Sequence, residues 1–218
     1  MAEEQGIRRF SLTSLTFWLL LFFEIVVVLV FVPGSFIQDQ TVIEGRWTKD
    51  FLGKAASDEI RQMADLQYET IAGKTHLEQH IRSLFIPSQE QIDKSVGLED
   101  LGHQLWPWFS KCVDNLMDIL YLAMRRLAVA WLWIPLIVPG LLLAAFNGWK
   151  VRAIKKQEFG YTSPVLHHFG LKAMKVLYAL LVLELVFPMA VPPQLIPTLL
   201  LSSCLFLGLS VSNVQKRI

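Results

Sequence analysis

Two carboxyl groups stand in otherwise apolar stretches, Glu24 within LLLFFEIVVV and Glu184 within LLVLELVF. A carboxyl in hydrocarbon is costly, so such residues face a bundle interior, an ion path or a contact between helices. Two chemistries are open. Glu24 and Glu184 share a proton, or each is protonated and hydrogen-bonds Ser202, Ser203 or a second subunit to hold helices together. The second is preferred, because a proton carrier needs a polar track and few other polar residues accompany these two. His76 and His80 lie four apart with Glu78 between them, but a third ligand and the His-Glu-x-x-His order are both missing, so a solvated helix face is expected and no metal site. Cys112 and Cys204 sit in different settings and are not expected to pair. The chain has no phosphate loop, nucleophile elbow or dinucleotide fingerprint, so neither a catalytic residue nor a cofactor is expected, and the protein is not expected to be an enzyme.

The other concentration of chemistry is basic. From Asn147 to Lys175, six cationic side chains (Lys150, Arg152, Lys155, Lys156, Lys172 and Lys175) meet one acid, Glu158. A basic helical extension is expected to end near Phe159, Gly160 to permit a sharp reversal before Tyr161, and Ser163 with Pro164 to cap and start the next helix. Two readings stand side by side: a turn whose cations obey topology and touch lipid headgroups, or a docking site with His167 and His168 as polar contacts. Over the whole chain twenty basic residues balance nineteen acidic ones, and no direct binding of nucleic acid is expected.

Such side chains need apolar elements to position them. Of 218 residues 53% are hydrophobic and 18% charged, with a mean hydropathy of +0.43, which excludes an ordinary soluble domain. The expected fold is an all-α membrane protein with four transmembrane helices, over 12–32, 127–146, 173–191 and 195–212, and a helical domain over 33–126 between the first two. The first stretch is longer than a signal-peptide core and is read as an uncleaved anchor. Arg8 and Arg9 in residues 1–11, the basic loop 147–172, and Lys216 and Arg217 in the tail 213–218 are the flanking cations that place both termini in the cytoplasm of a multi-pass protein in a bacterial inner membrane. The domain, with ten basic and fourteen acidic residues, then lies in the periplasm, although Arg125 and Arg126 abut the second span on that side against the trend. Short amphipathic helices are expected before Gly97, broken at Gly73 and at Pro87-Ser88, with Ser88 and Gln91 as a capping box. A helical pattern from near Leu98 should run into the second span, which Pro135 and Pro139 should kink. Pro192, Pro193 and Gln194 should close a tight hairpin, and Trp47, Trp106, Trp108, Trp131 and Trp133 should gather near one leaflet.

Four stretches carry a resemblance: Asn147-Gly148 to Lys156, the turn Phe159-Gly160-Tyr161-Thr162-Ser163-Pro164, His167 with Lys172, and the ending Ser212-Asn213-Val214-Gln215-Lys216-Arg217-Ile218. In these the chain resembles membrane proteins encoded by integrating conjugative elements and large conjugative plasmids beside the type IV coupling protein. The resemblance covers the four-span layout and is densest over 145–218, while 34–115 departs from it and Asn147-Gly148 replaces the family's Asp-Gly. It implies a part in conjugative DNA transfer by type IV secretion, with the coupling ATPase or other secretion-system membrane proteins as partners, and carries over no catalytic residue. The expectation is thus a non-enzymatic component that binds its partner through Lys150, Arg152, Lys155, Lys156, Phe159, Gly160, Tyr161, Ser163, Pro164, His167 and Lys172, sits in the lipid bilayer, and has a homo-oligomer as a further assembly. Two alternatives come from other classes. One is a small proton-coupled transporter or channel using Glu24 and Glu184; the other is a membrane sensor or exclusion protein that recognises another protein through the 33–126 domain.

Overall fold

The computed structural model describes residues 12–85, 99–158 and 160–214, and among these it contains helices, turns and no strand. Helix α1 (Leu12–Phe31) is almost wholly apolar and roughly 30 Å long at about 1.5 Å per residue. Pro33 ends it, because proline lacks a donor and pushes the preceding residue out of helical geometry; with φ of −66° it then leads into α2 (Gly34–Leu52). The two helices meet at 112°. Gly53, left-handed at φ 85°, separates α2 from α3 (Lys54–Tyr68), as its missing Cβ permits. A π-helical turn over Glu69–Gly73 and a bend with His76 at φ 50° lead to α4 (Leu77–Phe85). The expected short helices are therefore present, while Pro87, Ser88, Gln91 and Gly97 lie outside the described residues.

Helix α5 (Glu99–Gln157) has 59 residues, roughly 90 Å of helix, and is continuous through Pro107, Pro135 and Pro139. The pattern beginning near Leu98 thus runs unbroken into the apolar stretch. This continuity corrects the expected tryptophan cluster. Trp106 and Trp131 are about 37 Å apart along one helix and cannot lie at one level if that helix crosses a bilayer.

Helices α6 (Pro164–Val186) and α7 (Leu195–Ser212) complete the fold. The third apolar stretch was expected to stay helical to Val191, yet α6 ends at Val186 and 187–191 is irregular. Pro188 is the reason, since it disfavours helical geometry at Phe187. Among the described residues, α5 from Trp106 and α7 are long and apolar enough to cross a membrane, with a third candidate if Leu15–Phe31 and Gly34–Leu52 count as one bent span. Cys112 and Cys204 are unpaired thiols.

The core does not divide where the sequence changes from polar to apolar. Ile60 and Ala64 of α3 pack with Met124, Ala128 and Val129 of α5 and with Ile196 of α7, so the polar helices share a core with the apolar ones. A second cluster joins Val28 of α1, Ile37 of α2, and Ile119 and Leu122 of α5. Helices α2 and α3 therefore lie against the end of the bundle where 187–194 connects α6 to α7, here called the hairpin end. The opposite, basic end holds the connection between α5 and α6.

Candidate functional site

At the basic end, three helices approach each other at glycine. A Cβ on Gly148 of α5 would lie 2.7 Å from the Gly208 carbonyl oxygen, and one on Gly170 of α6 would lie 2.9 Å from the Phe206 carbonyl oxygen. Small residues of this kind let membrane helices pack backbone to backbone. Polar bonds then fix the register. His167 Nδ1 lies 2.9 Å from the Ser210 carbonyl oxygen and 3.0 Å from Ser210 Oγ. Buried Asn213 accepts through Oδ1 from Lys155 Nζ at 3.2 Å and from the Ser163 N–H at 3.4 Å, so one side chain ties the ends of α5 and α7 to the turn.

The predicted partner-binding residues consequently separate into two groups. Ser163 and His167 are internal to the bundle end, beside Gly148 and Asn213 of the other resembling stretches. Ser163 is the N-cap of α6 and accepts the Leu166 N–H at 3.4 Å, with Pro164 in the first turn, as the sequence implied. His167 is already bonded inside the chain and is not a free contact for a partner. Gly160 stands in the connection between α5 and α6, and its backbone is not left-handed: among the described residues only Gly53 and His76 have that conformation, and a Cβ on Gly160 would meet Lys155 at an ordinary 3.4 Å. Phe159 lies outside the described residues. Lys150, Lys156, Tyr161 and Lys172 are exposed, Lys150 with its Nζ 4.7 Å above the centre of the Phe146 ring. Arg152 and Lys155 are half-buried beside them.

At the hairpin end stands a site that sequence reasoning missed. Arg126 is completely buried, and every N–H of its guanidinium is used. Nε donates to both oxygens of Glu44 at 3.2 Å. Nη2 donates to Glu44 Oε2 at 2.8 Å and to the Met189 carbonyl at 2.7 Å; Nη1 donates to the Phe187 carbonyl at 2.7 Å and to that of Glu184. The carbonyls belong to the last residues of α6 and the irregular segment after it, groups that a helix end leaves without partners and where its dipole favours a cation. Glu44 also accepts the Val191 N–H at 3.3 Å, and Gln40 Oε1 accepts the Ala190 N–H at 3.0 Å. Arg125 donates to the Thr41 carbonyl at 2.7 Å, in space that Gly45 leaves open. The two arginines that ran against the charge asymmetry are therefore tied into α2 and do not act as free surface cations. One sign was legible in the sequence, a pair of arginines at an apolar boundary.

Glu24 and Glu184 both lie within electrostatic reach of Arg126. Within the chain neither carboxyl is bonded to Ser202 or Ser203. Both carboxyl oxygens of buried Glu184, and Oε2 of Glu24, have no hydrogen-bond partner, while Ser202 and Ser203 donate to the Thr198 and Leu200 carbonyls of their own helix. Farther from the hairpin, Asn115 donates to the Leu29 and Val32 carbonyls at the end of α1, and Arg82 links Glu78, Ser110 and Asp114 to hold α4 on α5. His76 lies in the turn before α4, outside the helix that carries His80, and no cluster of three His, Cys, Asp or Glu side chains forms among the described residues.

The geometry describes two polar clamps at opposite ends of an apolar bundle. Comparison with known proteins gives one family match, to a model described as IncC plasmid conjugative DNA transfer protein DtrJ-like, over residues 30–217. No curated protein and no solved structure matches.

Proposed function

The chain belongs to the DtrJ-like family of conjugative DNA transfer proteins, and from that premise we propose that it is a non-enzymatic inner-membrane component of a type IV secretion apparatus and a membrane partner of the coupling ATPase. The family match over most of the chain is the observation that carries this reading. In it, α1, the apolar half of α5, α6 and α7 are four transmembrane spans. Both termini and the basic end are cytoplasmic, and α2 to α4 with the first half of α5 stand in the periplasm. Support comes from the lysines and arginines at the basic end, and from large apolar side chains left exposed along α1, α5 and α6, among them Phe22, Leu142 and Val176.

The partner-facing surface in this reading is the exposed part of the basic end: Lys150, Lys156, Tyr161 and Lys172, with Arg152 and Lys155 behind them. Reporter fusions at Lys156 and at the C-terminus should report cytoplasm, and fusions near Ser88 should report periplasm. Affinity purification of the tagged chain from conjugating cells should recover the coupling ATPase. Periplasmic signal at Lys156, or a coupling ATPase recovered equally without the chain, would sink the proposal.

One observation favours a second reading, a proton-coupled path: the unpartnered carboxyl of Glu184, buried within electrostatic reach of Arg126 and Glu44. Glu24→Gln and Glu184→Gln keep the shape and remove the titrating proton. DNA transfer near normal in both, with either position damaged by Lys, fits the component reading; normal insertion with transfer abolished by an amide supports the path.

A further inference from the structure

We infer that α2 is an interfacial helix whose flank of Phe36, Ile43, Trp47 and Phe51 lies in the lipid of the leaflet at the hairpin end. The inference rests on the four-span reading for the position of the bilayer. Its partner is the headgroup and upper acyl region of a phospholipid leaflet.

At about 100° per residue, α2 presents three strips. Ile37, Glu44 and Thr48 form the buried strip, which faces α5 and the 187–191 segment. On one side of it run Phe36, Ile43, Trp47 and Phe51, of which Phe36, Trp47 and Phe51 are 37%, 41% and 45% exposed. On the other side lie Gln38 and Lys49, with Arg46 beyond them. The first flank carries three large aromatic side chains, with Gln40 among them and Asp50 at its edge, and the second is mainly polar apart from Val42, 53% exposed.

The neighbours of α2 set its flanks apart. Gln38 donates to Asp118 in the polar half of α5 at 3.1 Å, at the level where Asn115 bonds the end of α1. The opposite flank adjoins the outer ends of α6 and α7: Gln40 accepts from Ala190, and Trp47, Asp50 and Phe51 line a recess with Pro192, Pro193 and Gln194. Helix α2 begins three residues after α1 ends and turns by 112°, which lays it near the plane of the membrane that α1 has just crossed. Lipid is then the medium next to the apolar flank, and an indole with flanking cations suits the headgroup boundary.

The test uses the full chain with Cys112→Ser and Cys204→Ala, reconstituted in phosphatidylethanolamine and phosphatidylglycerol vesicles. Single cysteines replace Phe36, Ile43, Trp47, Phe51, Arg46, Lys49 and, as a reference in the first span, Leu20; each is spin-labelled. Collision with oxygen, which concentrates in lipid, is compared with collision with a water-soluble nickel chelate. The expected ratio of oxygen to nickel collisions is at least about threefold higher on the Phe36, Ile43, Trp47 and Phe51 flank than at Arg46 and Lys49, approaching Leu20. A Leu20 label in lipid with the flank as water-accessible as Arg46 overturns the inference and leaves the four spans intact. A flank shielded from both reagents also overturns it, because protein and not lipid would cover α2. A water-accessible Leu20 would remove the four-span reading itself. The other three flank positions carry the test if the Trp47 variant fails to reconstitute.

Discussion

At the scale of single residues, Arg126 governs the hairpin end. A buried ion pair is no guarantee of stability, since desolvating two charges can cost more than their attraction returns, but removing one partner strands the other in a low-dielectric interior. The arginine here also satisfies three carbonyls, so no smaller donor replaces it. Arg126→Lys cannot reach all of them with three donors, and Glu44→Gln removes the carboxylate bonded to the guanidinium. Either substitution should lower stability by about 3–5 kcal/mol, read as an earlier thermal transition of the detergent-solubilised protein. A transition unchanged in both variants would show that the pair is not buried as described. Asp118 presents the opposite case. Burial pushes its carboxyl above the usual range, partly offset by the Gln38 hydrogen bond and reinforced by Asp114. Its protonated form is thus favoured by folding, a contribution fully present below the unfolded pKa and lost as pH rises through the folded one. Asp118→Asn should therefore raise the transition slightly at neutral pH and give no gain in acid; a gain that persists in acid would refute this assignment.

Elements separate what was legible in the sequence from what was not. Helix α5 could be anticipated because apolar residues recur at three and four from near Leu98 to Ala123 and lead into a continuous apolar stretch, and the start of α6 because Ser163 and Pro164 are local signals. The end of α6 was set too late, as the apolar run past Val186 outweighed Pro188. The Arg125–Arg126 pair at an apolar boundary is a local signal, but its partners are not, since Glu44 is 82 residues away and Ala190 is 150 residues from Gln40. Glycine shows the same division. In a helix interior Gly→Ala ordinarily stabilises by about 0.5–1 kcal/mol. At Gly140 the new methyl would meet Cys204 Sγ at 3.4 Å, an ordinary contact, so Gly140→Ala should be neutral or stabilising. At Gly148 it would press on backbone at 2.7 Å, and overpacking costs about 1–3 kcal/mol, more than the propensity gain. Gly148→Ala should hence lower the thermal transition while Gly140→Ala does not, and equal behaviour of the two would disprove close packing of α5 on α7.

On the scale of the whole molecule, the two clamps hold the bundle at its ends and leave the exposed cations of the basic end free of the structural work. That division gives the proposed partner surface a sharp test, because residues there can be changed without loosening the fold. Lys150, Lys156 and Lys172 are exposed, whereas His167 fastens α6 to Ser210. Lys150→Glu combined with Lys156→Glu and Lys172→Glu reverses the local field, and if the coupling ATPase docks there, co-purification and DNA transfer should fall at least about tenfold, equivalent to 1.4 kcal/mol of lost affinity. The positive-inside rule predicts a second effect of the same change, a weakened orientation, so Lys→Gln at the three positions is the necessary companion: it removes charge without adding any, and Arg152 and Lys155 remain to anchor topology. His167→Ala should behave differently from both. It removes an internal bond, costs about 1–3 kcal/mol, and should lower the thermal transition before it affects binding. Glutamine variants that insert correctly, melt normally and bind the ATPase less than the parent would assign recognition to these lysines. Should they bind and transfer as well as the parent while His167→Ala alone is defective, the basic end is a structural joint, and recognition belongs to the spans or to α2 and α3.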